Sequence, residues 1–131
     1  NLQKFINNNN LSNKIKLIGY KKNPFKYINQ SEIFLLTSIF EGSPNVLIEA
    51  QYLKKYIIST NCPTGPREIL ENGKIGDLIK IGDHKKLSNI LENFRLNKIT
   101  KKKIELGFKN TKQYDYKLNC LSYYNLIKAY L

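Results

Sequence analysis

Residue types that bind metals or form nucleophilic pairs are scarce in this 131-residue sequence. It contains one histidine, two cysteines, and neither methionine nor tryptophan. Cys62 and Cys120 lie far apart without a Cys-x-x-Cys pair, which excludes the usual zinc spacing. His84 follows an apparent strand in IGDHKKL, where we predict a surface position. With no second group placed to work with it, we do not expect a Ser–His or Cys–His catalytic pair.

Long apolar runs are also absent. No stretch approaches the roughly 18 residues needed to cross a bilayer, and the first residues lack the pattern of a secretory signal. We therefore predict a cytoplasmic protein whose two cysteines are free thiols. A composition of 41% apolar and 24% charged residues is typical of one globular domain. Because the sequence starts at Asn1 and holds no methionine, we expect a segment of a longer protein.

Acidic residues and arginine are few, whereas lysine is abundant. The 22 basic residues include only two arginines and stand against 10 acidic ones, which gives a net charge of +12. Such a surface could meet the phosphates of a nucleic acid, an anionic membrane or a nucleotide. The alternative is compositional, because lysine, asparagine and isoleucine together dominate the chain, as AT-rich coding would produce. The scarcity of arginine, the better residue for bidentate phosphate contacts, favours the compositional interpretation.

Short apolar runs alternate with helical patterns along the first part of the chain. Strands are predicted at 15–20, 33–38, 56–61 and 76–81, and helices around 24–31, 44–54 and 65–72. This rhythm indicates βαβ units and a parallel sheet with flanking helices, an α/β fold class. The run NNNN at 7–10 is predicted to be a loop or a helix end.

After Gly82 the pattern becomes helical, over 83–97, 99–113 and 115–131, with Asp83 as a predicted N-cap. The last helix carries four tyrosines, which we expect to pack in the core or against a partner domain rather than to stack bases. We treat residues 1–131 as one domain. It has an α/β core over about 11–90 and a section of C-terminal helices over about 83–131.

The segment SIFEGSPNV lies where a predicted parallel strand ends, which is where such sheets bind ligands. Ser43 is a suitable N-cap and Pro44 suits the first helical position. Gly42 would let the backbone approach a ligand closely. The N–H groups of the helix start are then suited to a phosphate. Glu49 shares a helix face with Asn45, four residues earlier.

Two carboxylates flank this phosphate site, and a carboxylate beside a phosphate needs another partner. Glu49 could accept hydrogen bonds from a ribose, and Glu41 from a second sugar beyond the diphosphate. The pattern therefore favours a nucleoside diphosphate sugar, although the spacing alone also fits a solvated loop and an exposed helix turn. At the next strand end, Gly65 opens another helix with Arg67 in its first turn. A cation there opposes the helix dipole, so either a bound anion or the nearby glutamates should compensate it.

The block FEGSPNVLIEA resembles the Glu-x7-Glu motif of retaining GT-B glycosyltransferases, particularly family 4, whose members often contain EGFPNVLLEA. The preceding IKLIGYKKNPFKYINQSEIFLLTS is similar to the strand, turn and strand before the motif in that family. The following YIISTNCPTGPREILENGKIGDLIKIGD resembles the segment after it in members that make surface polysaccharides. The blocks occur in the family's order from about residue 11 to 90.

The resemblance implies the Rossmann-like C-terminal, donor-binding half of a GT-B fold. It implies that Glu41 contacts hydroxyls of the donor sugar in catalysis and that Glu49 binds the ribose. The donor-binding residues that it implies or supports are Gly19 and Tyr20 near the base, Gly42, Ser43, Pro44, Asn45 and Val46 at the helix start, and Gly65 and Arg67. It also implies a UDP- or GDP-linked sugar as substrate, hexosyl or N-acetylhexosaminyl transfer with retention, and no metal or other cofactor.

The sequence departs from the family in two ways, the first of them mild. Ser43 stands where phenylalanine is common. The family's Gly-Arg turn, its diphosphate-clamping lysine and its N-terminal acceptor domain would all precede residue 1, so we expect the chain alone to be inactive. An anionic membrane surface at the inner face of the membrane is a further possible partner. The alternatives are a non-catalytic nucleotide-sugar-binding module and a basic nucleic-acid binder, and nothing at the strand ends calls for a nucleic acid.

Overall fold

The computed structural model describes residues 1–130, and it confirms the α/β class with a parallel sheet flanked by helices. The helices are α1 Leu2–Asn8, α2 Phe25–Gln30, α3 Asn45–Tyr52, α4 Pro66–Ile69, α5 His84–Glu92, α6 Lys98–Asn110 and α7 Tyr116–Lys128. Short 3-10 turns follow α4 at Glu71–Gly73 and α6 at Thr111–Tyr114. The strands are β1 Ile33–Leu36, β2 Tyr56–Thr60 and β3 Asp77–Ile79.

The sheet formed by residues 1–130 has the order β1-β2-β3, and both strand pairs are parallel. Ile33 is in register with Tyr56, and Ile58 with Asp77. Every residue of β2 is buried, because this central strand is covered on both faces. A parallel strand in that position needs apolar side chains pointing both ways, which explains the near-continuous apolar run in the sequence.

Alternate side chains of β2 belong to two separate apolar clusters, one on each face of the sheet. Ile57 packs with residues of α2, α3, α4 and the segment that precedes β3: Ile28, Leu47, Ala50, Ile69, Leu70 and Ile75. Tyr56 and Ile58 pack on the other face with Ile79 and with side chains from α5, its following loop and α6: Leu87, Ile90, Phe94 and Ile104. The helices on both faces therefore hold the sheet by burial of apolar surface.

A polar cluster fastens α6 to the amino end of the sheet. Asp77, the first residue of β3, accepts a hydrogen bond from the Tyr56 hydroxyl at 2.7 Å and pairs with Lys103 Nζ at 2.6 Å. Lys103 Nζ also donates to the carbonyl oxygen of Gly76 at 3.3 Å. Burial of the ring, together with the hydrogen bond and the negative charge of Asp77, raises the pKa of Tyr56 well above its usual value.

Gln51 is a buried polar side chain that joins three helices. Its Nε2 donates to the carbonyl oxygen of Ile69 in α4 at 3.1 Å, and its Oε1 accepts from Asn110 Nδ2 in α6 at 3.4 Å. Gly107 lets α6 approach at this point, because a Cβ there would lie 3.3 Å from Gln51 Cγ. These contacts fix α3, the helix that carries Glu49, against its neighbours.

The prediction of a strand at 15–20 is wrong. These residues have no regular secondary structure, and side chains such as Leu17 and Tyr20 are exposed. An extended apolar run becomes a strand only when a neighbouring strand pairs with it, and no strand of residues 1–130 lies beside this one. The sequence analysis also missed α1. The run NNNN includes the end of that helix, as predicted.

The C-terminal helices are confirmed, but the packing predicted for the last one is not. Asp83 caps α5 by accepting a hydrogen bond from the Lys86 amide at 3.0 Å. The α7 tyrosines and leucines are exposed, so the alternative that they pack in the core of residues 1–130 is wrong, whereas packing against a partner domain stays a prediction. Among those residues, no helix is both long enough and apolar enough to cross a membrane.

Candidate functional site

The loops that follow β1 and β2 meet at the carboxyl edge of the sheet, because parallel strands end on the same side. Thr60 ends β2, and its Oγ1 donates to the carbonyl oxygen of Ser38 at 2.5 Å. Cys62 Sγ donates to the same oxygen at 3.2 Å. The two loops are therefore joined where the first one leaves the sheet.

A second pair of contacts joins the loops farther along. Thr64 Oγ1 donates to the main-chain carbonyl oxygen of Glu41 at 2.7 Å. Gly65 has a φ of +93°, and a Cβ added there would overlap the carbonyl oxygen of Gly42 and press on Pro44 Cδ. Glycine is required at this position by its conformation and by the close approach of the other loop. This contact gives Gly65 a packing role in addition to the donor-binding role that we predicted.

The start of α3 differs in detail from the prediction. Pro44, with a φ of −73° and a ψ of 93°, is the N-cap, and α3 begins at Asn45. No side chain caps this helix, so the prediction that Ser43 caps it and that Pro44 is the first helical residue is wrong. Pro44 is buried against Gly65, and this packing sets the point where the helix begins. Ser43 is exposed.

Asn45 and Glu49 line one groove of about 820 Å³ on the outer side of α3, as expected from their shared helix face. Five of its twelve lining residues are aromatic: Phe25, Tyr52, Phe108, Tyr114 and Tyr116. Burial, followed by the charge of Glu71, raises the pKa of the Tyr114 hydroxyl. An apolar groove of this size with a few polar groups is typical of a small-ligand site.

None of the other predicted site residues, Glu41 included, lines this groove. Glu41 and Val46 are half-buried, and Val46 packs against the α3 side of the core. Arg67 is exposed, and its Nε donates to Asn61 Oδ1 at 3.1 Å. Glu68 accepts from the Gly65 amide at 2.8 Å. Gly19 and Tyr20 do not line the groove, and Tyr20 is 92% exposed.

The arrangement offers hydrogen-bond acceptors for hydroxyl groups and main-chain donors for an anion. Glu41 and Glu49 supply the acceptors, and the first amides of α3 supply donors aligned with the helix dipole. Within residues 1–130, no three His, Cys, Asp or Glu side chains are grouped to hold a metal ion. The absence of a metal from the reaction stays a prediction.

The sequence analysis missed the residues that join the two loops. Thr60, Cys62 and Thr64 are 22 to 24 residues from the carbonyl groups to which they donate. Their one available signal was the run TNCPT, which starts at the last residue of a buried parallel strand.

Comparison with known protein families gives one match over most of the chain. The sequence model described as "Glycosyl transferases group 1" matches residues 1–111. An uncharacterized glycosyltransferase of Methanocaldococcus jannaschii is 52% identical over 69 residues, which are 53% of this chain and 17% of that protein. The N-acetylgalactosamine-N,N'-diacetylbacillosaminyl-diphospho-undecaprenol 4-alpha-N-acetylgalactosaminyltransferase of Campylobacter jejuni is 34% identical over 98 residues, or 72% of this chain. The chain spans only 27% of the length of that relative.

Solved structures show the same fold. TarM superposes with a TM-score of 0.80 at 24% identity, over 95% of this chain and 26% of TarM. A glycosyltransferase from Rickettsia africae superposes with a TM-score of 0.75 at 26% identity, over 95% of this chain and 34% of that one. HepE of Anabaena, determined in complex with UDP, has a TM-score of 0.68 at 20% identity, over 91% of this chain and 36% of HepE. These likenesses agree with the predicted GT-B architecture.

Proposed function

This chain belongs to the family of glycosyl transferases group 1, and we propose that it forms the donor-binding part of a glycosyltransferase. The proposed reaction moves a sugar from a nucleoside diphosphate sugar to a glycan or lipid-linked acceptor in polysaccharide or glycan biosynthesis. The observation that carries the proposal is the pair of carboxylates, Glu41 and Glu49, on either side of the start of α3. We further propose retention and membership of family 4 from the Glu-x7-Glu motif that these residues form.

The proposed orientation of the donor follows from what each group can bind. Glu49 lies in the groove beside Asn45 and would accept hydrogen bonds from the ribose. The main-chain amides of Asn45 and Val46 would face the diphosphate, with Arg67 as a nearby cation that offsets its charge. Glu41 would then contact the donor sugar beyond the diphosphate.

The base, the sugar and the rest of the site are proposed from the resemblance and the relatives. HepE shares the fold and was determined with UDP, which is compatible with a UDP-linked donor here, and a GDP-linked donor is the alternative. Gly19 and Tyr20 would lie near the base, and Gly42 and Ser43 near the diphosphate. Named relatives transfer N-acetylgalactosamine, N-acetylglucosamine or galactose, which supports hexosyl or N-acetylhexosaminyl transfer. No metal is proposed, because the amides of α3 and Arg67 would stabilise the leaving diphosphate.

Because the chain spans so little of its relatives, we propose that it acts together with a further domain that binds the acceptor. By itself it would bind the donor without turning it over. The alternative, a non-catalytic nucleotide-sugar-binding module, predicts the same binding. The two differ in whether a protein that contains this chain transfers the sugar.

Calorimetric titration of the chain with UDP, GDP and their sugar conjugates tests the donor site. We expect binding that is weakened about tenfold in Glu49→Gln, because the ribose loses a charged acceptor. Glu105→Gln is the matched control, since Glu105 is an exposed glutamate on α6. Equal affinities of the wild type and Glu49→Gln would contradict the ribose assignment. A folded chain that binds none of these nucleotides would contradict the donor site itself.

A weak attraction to an anionic membrane surface is a second proposal, carried by α6. The helix bears four exposed lysines, Lys98, Lys101, Lys102 and Lys109, with the exposed Glu105 between the last two. Leu96, which is 59% exposed, lies just before this helix, and Ile99, which is 69% exposed, lies in its first turn. Lysines beside exposed aliphatic side chains suit a lipid surface, whereas bases would need aromatic platforms. This surface would keep the protein at the inner face of the membrane, near a lipid-linked acceptor.

Co-sedimentation with phosphatidylglycerol vesicles tests this surface, with phosphatidylcholine vesicles as the neutral reference. We expect a preference for the anionic vesicles that the double variant Lys98→Glu, Lys102→Glu loses. Equal sedimentation with both vesicle types would remove the proposal. Strong binding to an unrelated oligonucleotide with a steep salt dependence would instead favour nucleic-acid binding.

A further inference from the structure

The segment that carries Glu41 has no helix or strand to fix it. Residues 37–44, between β1 and α3, are irregular throughout. Ile39 and Phe40, which precede Glu41, are each 75% exposed, so the apolar core does not anchor this part of the chain. A side chain on such a segment keeps one direction only if other contacts hold its main chain.

Those contacts come from the loop after β2. Thr60 and Cys62 hold the Ser38 carbonyl oxygen at the beginning of the segment, and Gly65 packs on Gly42 near its end. Thr64 alone acts on the residue of interest, because its Oγ1 donates to the carbonyl oxygen of Glu41 itself at 2.7 Å.

We infer that Thr64 is a positioning residue for Glu41. The hydrogen bond fixes the plane of the peptide that follows Glu41, and so it restricts the backbone rotation that would turn the Glu41 side chain. The consequence for ligand binding rests on the proposed function, in which Glu41 contacts the donor sugar. Thr64 would thus act on the sugar through Glu41 without touching it.

The environment of Thr64 makes this role separable from stability. Thr64 is exposed and belongs to neither apolar cluster. Replacing it by valine removes the hydroxyl at nearly constant shape, and replacing it by serine keeps the hydroxyl. A merely structural role would affect nucleotide and nucleotide-sugar binding alike. A positioning role changes only the part of the affinity that the sugar supplies.

The first measurement needs no ligand. Amide ¹⁵N relaxation of the whole chain gives order parameters for Glu41 and Gly42 in the wild type, Thr64→Val and Thr64→Ser, with circular dichroism to verify folding. We expect values near about 0.85 in the wild type and in Thr64→Ser, and below about 0.6 in Thr64→Val. Unchanged order parameters in Thr64→Val would overturn the inference.

The second measurement is calorimetric titration of the same three proteins with UDP, UDP-N-acetylglucosamine, UDP-galactose, GDP and GDP-mannose. In Thr64→Val we expect unchanged affinity for the free nucleotide and an approximately fivefold loss of the additional affinity for its sugar conjugate. Thr64→Ser should restore it. An intact sugar-dependent affinity in Thr64→Val, or a wild type that binds nucleotides and conjugates equally, would overturn the positioning role. If the wild type binds no nucleotide, the proposed function fails, and the order parameters still decide whether Thr64 holds Glu41.

Discussion

The two ends of the sheet use their polar residues differently. At the amino end, the Asp77 carboxylate is occupied by Tyr56 and Lys103, at 2.7 and 2.6 Å. At the carboxyl end, the hydrogen bonds between the loops go to the main-chain carbonyl groups of Ser38 and Glu41. The Glu41 carboxylate takes no part in those bonds.

The two carboxylates therefore differ in role: Asp77 stabilises the fold, whereas Glu41 can bind a ligand. A carboxylate with two internal partners contributes to stability, and removing it leaves a hydroxyl and an ammonium group without their acceptor. A carboxylate whose main chain alone is anchored keeps its hydrogen-bonding capacity for another molecule. Substitutions at the two ends should therefore differ in whether they change stability or binding.

The largest effect is expected at the carboxyl end, from backbone packing rather than charge. Gly65→Ala should lower the free energy of unfolding by about 3 kcal/mol, because the new Cβ meets the Gly42 carbonyl group at a positive φ. Gly73→Ala is the matched control, since Gly73 has a φ of +91° in open space and should lose only about 1 kcal/mol. Equal losses of unfolding free energy in Gly65→Ala and Gly73→Ala, measured by urea denaturation, would contradict the close contact between Gly65 and Gly42.

The next effect belongs to the amino end. Asp77→Ala should lower the free energy of unfolding by about 2 kcal/mol, because Tyr56 and Lys103 lose their shared acceptor. Glu105→Ala, an exposed change on α6, should stay within about 0.5 kcal/mol of the wild type. Nucleotide affinity of the folded Asp77→Ala protein should equal that of the wild type. A loss of nucleotide affinity would show that the amino end of the sheet also contributes to ligand binding.

Alkaline pH should weaken the same cluster. The pKa of Tyr56 is raised in the folded state, so above the ordinary tyrosine value of about 10 only the unfolded chain releases this proton. The contribution to stability is complete below that pH and falls as the pH rises above it. Urea midpoints measured from pH 9 to 11 should therefore decline more steeply in the wild type than in Tyr56→Phe. Parallel declines would contradict a buried, hydrogen-bonded Tyr56.

The smallest effect on stability is expected for Arg67 at the carboxyl end. Arg67→Ala should change the free energy of unfolding by less than about 0.5 kcal/mol, because the side chain is exposed. Its affinity for UDP should fall about threefold if the guanidinium group faces the diphosphate. Calorimetry and urea denaturation of the same preparation separate the two outcomes. A destabilised Arg67→Ala protein with unchanged affinity for UDP would show that Arg67 stabilises the fold and does not contact the ligand.

Local patterns in the sequence predict most of the elements that build the sheet edge. β1, β2 and β3 fall within predicted strands, and Glu41 and Glu49 flank the start of a helix as expected. The segment 15–20 was predicted incorrectly because strand formation depends on a pairing partner, which composition cannot reveal. Helix α3 begins at Asn45, one residue later than predicted, because Pro44 packs against Gly65. Gly65 lies in a distant part of the chain, so the local pattern does not reveal this contact.

The long-range polar contacts were beyond prediction for the same reason. Asp77 is 21 residues from Tyr56 and 26 from Lys103, and neither separation follows a helical or strand period. Gln51 falls within the predicted helix around 44–54, and the helical pattern does not reveal that its amide joins α4 and α6. Such contacts depend on how elements cross in space, whereas periodicity reports only which face of each element is apolar.

The contacts between the loops at 38–44 and 60–65 have a practical consequence for protein engineering. A chimaera that takes one of these loops from a relative would place a foreign backbone against Thr64 and Gly65, or a foreign Thr64 and Gly65 against the resident backbone. The two segments should be transferred together, as a single exchangeable module, although 15 residues separate them in the sequence.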